Sequence, residues 1–148
     1  MKIYLAGPLF SEAEREFNQI LCTKLESVGF TVFLPQRDGA EKDKPPYNTM
    51  AKEKRRIAMF NLDRDKIFES DIFLFVLDGR VPDEGACVEL GLAYAHRKLT
   101  KGKKTLVGLQ TDVRAAFIGS KLNPMLKVPL DYIAENKTDL IKFLNKRK

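Results

Sequence analysis

The feature that most constrains this chain is the apolar run Ile72 to Leu77, bounded by Asp71 on one side and by the turn residues Asp78, Gly79 and Pro82 on the other. A short run without polar alternation, closed at both ends by turn formers, fits a strand buried on both faces, as in a parallel sheet. The stretch that follows, Asp83-Glu84-Gly85-Ala86-Cys87-Val88-Glu89-Leu90-Gly91-Leu92-Ala93-Tyr94-Ala95, has helical period. Val88, Leu92 and Ala95 recur at i, i+4 and i+7, and Ala86, Gly91 and Ala93 are small enough to let a helix lie close on a sheet. Glu89 falls on the packed side, next to Val88. A carboxylate on a face that should be apolar costs free energy unless it is paired or kept for chemistry.

Strand and helix signals alternate along the rest of the chain. Lys2 to Ala6 reads as a first strand ended by Gly7-Pro8, where Gly7 permits a close backbone approach. Ser11-Glu12-Ala13-Glu14 is a capping box, and Ala13, Phe17, Ile20, Leu21, Leu25 and Val28 give the helix behind it an apolar stripe. Phe30 to Leu34 reads as a second strand stopped by Pro35. Residues 36 to 49 lack a period and hold two adjacent prolines, which predicts a long surface loop, and loops of this length are usually functional or disordered. A charged helix is expected from about Thr49 to Ser70, with Ile57, Phe60, Ile67 and Phe68 inward and Asp63 near that stripe. Lys104 to Gln110 reads as a fourth strand, Thr111 to Leu126 as an irregular segment with a helical turn, Leu130 to Ala134 as a short fifth strand, and Thr138 to Lys146 as a last helix. This order predicts one α/β domain over residues 1–148: a doubly wound five-stranded parallel sheet of the flavodoxin-like, Rossmann-like kind. Ligands of such sheets bind at the carboxyl ends of the strands. Here that edge gathers Gly7 to Phe10, Gln36 and Asp78 to Asp83.

Composition narrows the functional classes. The net charge is +6, yet residues 61 to 95 hold eight acids against three bases. The basic excess sits in Lys52 to Arg56, Arg97 to Lys104 and the tail from Lys142, stretches read as solvated faces away from the acidic centre. That distribution argues against a nucleic acid polymer as partner. The longest apolar run is far too short to cross a bilayer, and the first strand begins directly after Met1, so a soluble cytoplasmic protein is expected. Cys22 and Cys87 lack metal-ligand spacing and have one histidine, His96, for company; both are read as buried thiols. No dinucleotide fingerprint, phosphate-binding loop, serine-hydrolase elbow or Cys/His cluster is present, and no cofactor or metal is expected.

Carboxylates remain as the chemically capable groups. Asp83, Glu89 and Asp63 converge if their two helices flank the third strand. Clustered carboxyls cannot all ionise cheaply, so one is held protonated as an acid while another stays anionic. That division suits glycosyl transfer, with one carboxylate attacking an anomeric carbon and another protonating the leaving group. Taken singly, each residue has a commoner structural explanation: Asp83 as a helix N-cap, Asp63 as an exposed helix charge, Glu89 as a salt-bridged or surface side chain. Tyr4 and Phe10 are more often core or rim aromatics, and Asn123 before Pro124 a turn residue.

Several short stretches together resemble the nucleoside 2-deoxyribosyltransferases and their relatives, the 2'-deoxynucleoside 5'-phosphate N-hydrolases. They are Lys-Ile-Tyr-Leu-Ala-Gly-Pro at 2–8, Asp63 before the strand opening after Asp71, Asp83-x-Gly85-x-x-x-Glu89-x-Gly91-x-Ala93, and Asn123-Pro124-Met125. The resemblance implies that Glu89 is a nucleophile forming a glycosyl ester with C1' of deoxyribose. It implies that Tyr4 orients Glu89, that Asp63 is acid and base toward the nucleobase, and that Asp83 binds sugar hydroxyls. Gln36 would read the base edge, Phe10 would pack on it, and Gly7 and Gly85 would line the substrate. Asn123 and Met125 match residues that family members lend to a neighbouring subunit, which implies a homo-oligomer with shared active sites. The expected partners are 2'-deoxynucleosides and free nucleobases, with no membrane and no cofactor. Hydrolysis of the same bond is the nearest alternative, and a non-catalytic nucleotide-binding module is a second. Where the phosphate-cleaving relatives carry serine, this chain has Asp83, and at 4 Å with a dielectric of about 20 each like-charge pair costs roughly 4 kcal/mol. A free nucleoside is therefore the expected substrate.

Overall fold

The computed structural model describes residues 1–40, 43–114 and 122–148. Five strands, β1 (Lys2–Ala6), β2 (Thr31–Phe33), β3 (Ile72–Val76), β4 (Thr105–Leu109) and β5 (Tyr132–Ala134), form one all-parallel sheet in the order β2-β1-β3-β4-β5. This is the doubly wound, single-domain α/β architecture expected from the alternation of strand and helix signals. Among the described residues the helices are α1 (Glu12–Ser27), α2 (Pro35–Asp38), α3 (Lys52–Glu69), α4 (Glu84–Thr100), α5 (Pro124–Lys127) and α6 (Lys137–Asn145), with a 3₁₀ turn at Tyr47–Thr49.

The period of two along each strand separates two cores. Ile3 and Leu5 of β1 and Ile72, Leu74 and Val76 of β3 face α1 and α6, where they meet Leu21, Leu25, Leu140 and Leu144. Tyr4, Ala6, Phe73 and Phe75 point to the other side, against Ile67 of α3 and Ala86, Leu90 and Ala93 of α4. All five residues of β3 are buried. The uninterrupted apolar run is thus explained by coverage on both faces.

Several expectations are corrected. The stretch after Pro35 is not all loop: proline pre-sets the first helical φ, and Asp38 Oδ2 accepts from the Leu34 N–H at 2.9 Å, closing the short helix α2. On α3, Ile67 is inward as expected and Phe68 packs alongside it, but Ile57 and Phe60 are 61% and 54% exposed. The buried stripe of α4 is Ala86, Leu90 and Ala93, and Val88 is 60% exposed. Both helices carry apolar residues on two sides, so periodicity alone selected the wrong phase. Of the irregular segment expected over Thr111 to Leu126, residues 115–121 lie outside the described residues, and a helical turn follows at Pro124. Cys22 is buried and burial pushes its thiol up to about 11, whereas Cys87 is only half-buried.

The basic stretch Arg97 to Lys104 is not wholly solvated either. The Lys104 ammonium is buried and donates to the Ile67 carbonyl at 2.7 Å, to the Ser70 hydroxyl at 2.9 Å and to the Ser70 carbonyl. It adds a donor to carbonyls at the end of α3, where the Ile67 carbonyl also accepts from the Ser70 hydroxyl at 2.8 Å. Arg97 donates from Nη1 to both carboxylate oxygens of Asp131, at 2.9 and 2.7 Å, tying α4 to the residue before β5.

Gly7 lies where β1 ends beside β3. Its φ is +153°, and a Cβ there would stand 2.9 Å from Val76 Cβ and 3.2 Å from the Val76 carbonyl oxygen. Both the backbone angle and the space require glycine. Gly7→Ala is expected to destabilise the fold by about 2 kcal/mol or more, measured as a lower midpoint in urea unfolding at unchanged slope. A variant as stable as the parent would contradict the close approach.

Candidate active site

The site is built from the inner face of β1. Tyr4 is fully buried, and register places it beside Phe33 of β2 and Phe73 of β3. The three rings stack, with centroids 5.5 and 5.8 Å apart and interplanar angles of 17° and 7°. A tyrosine held in this way cannot turn its phenol away, and a buried hydroxyl needs a partner. The partner is Glu89, whose Oε1 accepts from the Tyr4 hydroxyl at 2.7 Å.

Glu89 belongs to the second turn of α4, one residue before buried Leu90 and three after buried Ala86. It is therefore on the packed side, as expected, although the stripe beside it is not the one anticipated. Burial pushes the Glu89 carboxyl up to about 7; the Tyr4 hydrogen bond opposes the rise, and the negative charges of Asp63 and Asp83 add to it. Asp63, from α3, is pushed by burial up to about 6, with the Tyr4 hydroxyl again acting in the opposite sense. The phenol itself is held far above its usual range, first by burial and then by the charges of Glu89 and Asp63. One phenolic proton thus stands between two carboxyls. It can be donated to one of them at a time, which lets the other take the protonated form and donate to the phenol oxygen.

Asp83 is the N-cap of α4, its Oδ1 accepting from the Ala86 N–H at 2.8 Å. The commoner explanation of that residue therefore holds, while its charge still acts on Glu89. Gly85 keeps the cap open: a Cβ there would stand 3.2 Å from Asp83 Oδ1. A cleft of about 670 Å³ opens over Asp63, lined by Leu9, Gln36, Asp43 and the α3 residues Lys52, Arg55, Arg56 and Met59 among others. The expectation that the basic residues lie away from this edge is thus corrected for the first of the three basic stretches. A second cleft of about 430 Å³ lies on the α1 side, between Asn18, Asp78 and Asp112.

The remaining sequence candidates are placed less uniformly. Gln36 lines the cleft with Asp63, but its carboxamide is engaged at both ends, donating to the Arg15 carbonyl at 2.8 Å and accepting from Asn18 at 3.3 Å. Phe10 is 75% exposed, and its backbone N–H is held by Glu14 Oε2 at 3.0 Å as an extension of the capping box. Leu9 rather than Phe10 lines the cleft. Asn123 caps α5, its Oδ1 accepting from the Met125 N–H at 2.9 Å, and Met125 is 79% exposed. Among the described residues Asn123 makes no hydrogen bond to Tyr4, Asp63 or Glu89. Sequence reasoning missed the clamping rings Phe33 and Phe73, which strand register would have supplied. It also missed the cationic side of the cleft, although Lys52, Arg55, Arg56, Met59 and Asp63 share one helix face at i, i+3, i+4, i+7 and i+11.

Among the described residues no group of three or more histidine, cysteine or carboxylate side chains is placed to hold a metal ion, and no helix is long and apolar enough to cross a membrane. Comparison with solved structures finds a conserved protein from Enterococcus faecalis V583 at 26% identity and a TM-score of 0.75, covering 100% of this chain and 99% of that one. A 2-deoxyribosyltransferase from Bacillus psychrosaccharolyticus matches at 23% identity and 0.71, covering 95% and 90%. The CMP N-glycosidase BcmB of Clostridium botulinum matches at 20% and 0.57, with both chains covered completely. The last two show likeness of fold alone. No curated protein matches in sequence. Residues 3–139 match the family described as nucleoside 2-deoxyribosyltransferase, and the chain, with its five-stranded sheet and its Tyr4–Glu89 pair, belongs to that family.

Proposed function

We propose that the protein transfers 2-deoxyribose between nucleobases with retention, through a covalent ester on Glu89. The observation that carries this reading is the 2.7 Å hydrogen bond from the buried Tyr4 hydroxyl to Glu89 Oε1, with Asp63 acting on the same phenol. The bond fixes one carboxylate oxygen and leaves Oε2 as the nucleophile. Oε2 attacks C1', the C1'–N bond breaks, and its electron pair goes to the base nitrogen as Asp63 delivers a proton to the base. An incoming base then attacks C1', returns its proton to Asp63 and frees Glu89. Water in place of the second base gives hydrolysis, and product analysis with and without added base separates the two outcomes. Asp83 would accept from sugar hydroxyls with the oxygen its cap leaves free.

A homo-oligomer belongs to the same proposal. Ile57 and Phe60 on α3, Val88 on α4 and Met125 on α5 are exposed apolar side chains, and such surface favours a partner. A second copy would cover it and bring Asn123 and Met125 to its neighbour's sugar.

Glu89→Ala should lower kcat by several orders of magnitude, because the two-step path goes with the nucleophile. A 2'-fluoro-arabinosyl nucleoside should leave a sugar adduct on Glu89, read by mass spectrometry of the digested protein. An active Glu89→Ala enzyme excludes the mechanism.

The rate should also follow a bell in pH. Glu89 must be ionised and Asp63 protonated, and with values of about 7 and about 6 for the two carboxyls activity rises as pH increases through about 6 and falls as it increases through about 7. The two limbs overlap and report the pair jointly. Tyr4→Phe removes a hydrogen bond that lowers the Glu89 value, so the limb at about 7 should move to higher pH. A limb unmoved, or moved lower, would disconnect Tyr4 from the nucleophile.

Mixing Glu89→Ala with Asn123→Ala subunits, each inactive alone, should restore part of the activity, since some interfaces then hold one intact site. Exchange of subunits without any recovery would refute the shared site.

A further inference from the structure

Three cations face the cleft that holds Asp63. Lys52, Arg55 and Arg56 lie on the same side of α3 as Asp63, about two to three helical turns earlier, which at ~1.5 Å per residue is on the order of 10–17 Å along the axis. Their position is costly. Like charges at i, i+3 and i+4 repel, and cations in the opening turns of a helix oppose its macrodipole, which favours acids there. The local compensation is small: Arg56 pairs with Glu53 at 2.8 Å, but both side chains are mostly exposed, and exposed pairs contribute little. Among the described residues no ion pair is formed by Lys52 or Arg55. Asp43 is the acid that shares the cleft with Asp63.

We propose that Lys52, Arg55 and Arg56 receive an anionic group of the substrate, a phosphate or a carboxylate, and so decide which deoxynucleoside derivative the enzyme accepts. The proposal rests on the glycosyl-transfer reading for what the rest of the substrate is. An oxyanion at this wall supplies the counter-charge the helix lacks, and the planar guanidinium of Arg55 offers it two parallel donors. Two sources fit that chemistry: a 5'-phosphate on the sugar, or an acidic substituent on the base. Asp83 at the helix cap disfavours the first where the two come close and leaves the second unaffected.

Binding tests the wall without requiring turnover. In a Glu89→Gln background, dissociation constants are measured by calorimetry for 2'-deoxyuridine, its 5'-monophosphate and 5-carboxy-2'-deoxyuridine, and for 2'-deoxyadenosine and its 5'-monophosphate. At least one anionic compound should bind about 10-fold or more tighter than its neutral parent. Adding Arg55→Gln and Arg56→Gln should erase that gap and leave the neutral compound unchanged, and Arg55→Lys should restore part of it. Thermal melting confirms that the variants fold. A monophosphate advantage identifies the 5'-phosphate as the source; a carboxylate advantage identifies the base. Equal binding of neutral and anionic compounds, or a gap that survives the double substitution, overturns the proposal. Turnover by the unaltered enzyme is scored separately: anion-selective binding without turnover would sink glycosyl transfer and leave the anion wall standing.

Discussion

The site depends on a phenol with nowhere else to go. Tyr4 is stacked between Phe33 and Phe73 in the middle of the sheet, and its hydroxyl is the polar end of an otherwise apolar core. A buried hydroxyl without a partner costs on the order of 1–3 kcal/mol, so the helix that covers this face must present an acceptor at that point. Glu89 is that acceptor. Structure and chemistry make the same demand here, because the contact that satisfies the core also fixes the carboxylate proposed to attack the sugar.

Two carboxyls around one phenolic proton make a natural division of labour. Burial raises both Glu89 and Asp63 into the range where neutral and charged forms coexist near neutrality. Either carboxyl, once charged, makes ionisation of the other harder. The pair therefore tends to hold one negative charge between its members; with Glu89 at about 7 and Asp63 at about 6 that charge rests mainly on Asp63, and the form proposed to react, with Glu89 anionic and Asp63 protonated, is the minor one. Packing rather than a flexible loop holds the two carboxyls in place before substrate arrives.

Much of the fold was legible because the strands are simple. The run Ile72–Leu77 has no polar alternation, and it proved to be a strand covered on both faces. The order of signals was enough for the sheet topology. Helix phase was the weak point, since α3 and α4 carry apolar residues on two sides and the exposed one, Ile57, Phe60 and Val88, was mistaken for the buried one. Glu89 was singled out from sequence as a carboxylate beside Val88 on the face read as packed, that of Val88, Leu92 and Ala95; the buried residues it does lie among are Ala86, Leu90 and Ala93. Asp83 could not be separated from its capping role by sequence, and the structure places it in that role. Gln36 looked free to read a base, but its amide is held by Asn18 and Arg15, contacts between residues distant in sequence. The basic run at Lys52 to Arg56 was read as solvated because composition records charge and not the direction a helix face points.

The lengths of α3 and the strands carry a further consequence. Eighteen helical residues extend about 27 Å, whereas a five-residue strand extends about 17 Å. The C-terminal half of α3 is anchored on the sheet through Ile67 and through Lys104, while the N-terminal half runs along the cleft and brings Lys52, Arg55 and Arg56 to it. The groups proposed to break the bond sit on the braced part of the molecule, and those proposed to select the substrate sit on the N-terminal part of α3. On those proposals evolution can rewrite the N-terminal half of α3 residue by residue, changing which molecules are admitted, while the barrier for those that enter is set by side chains the sheet does not allow to move.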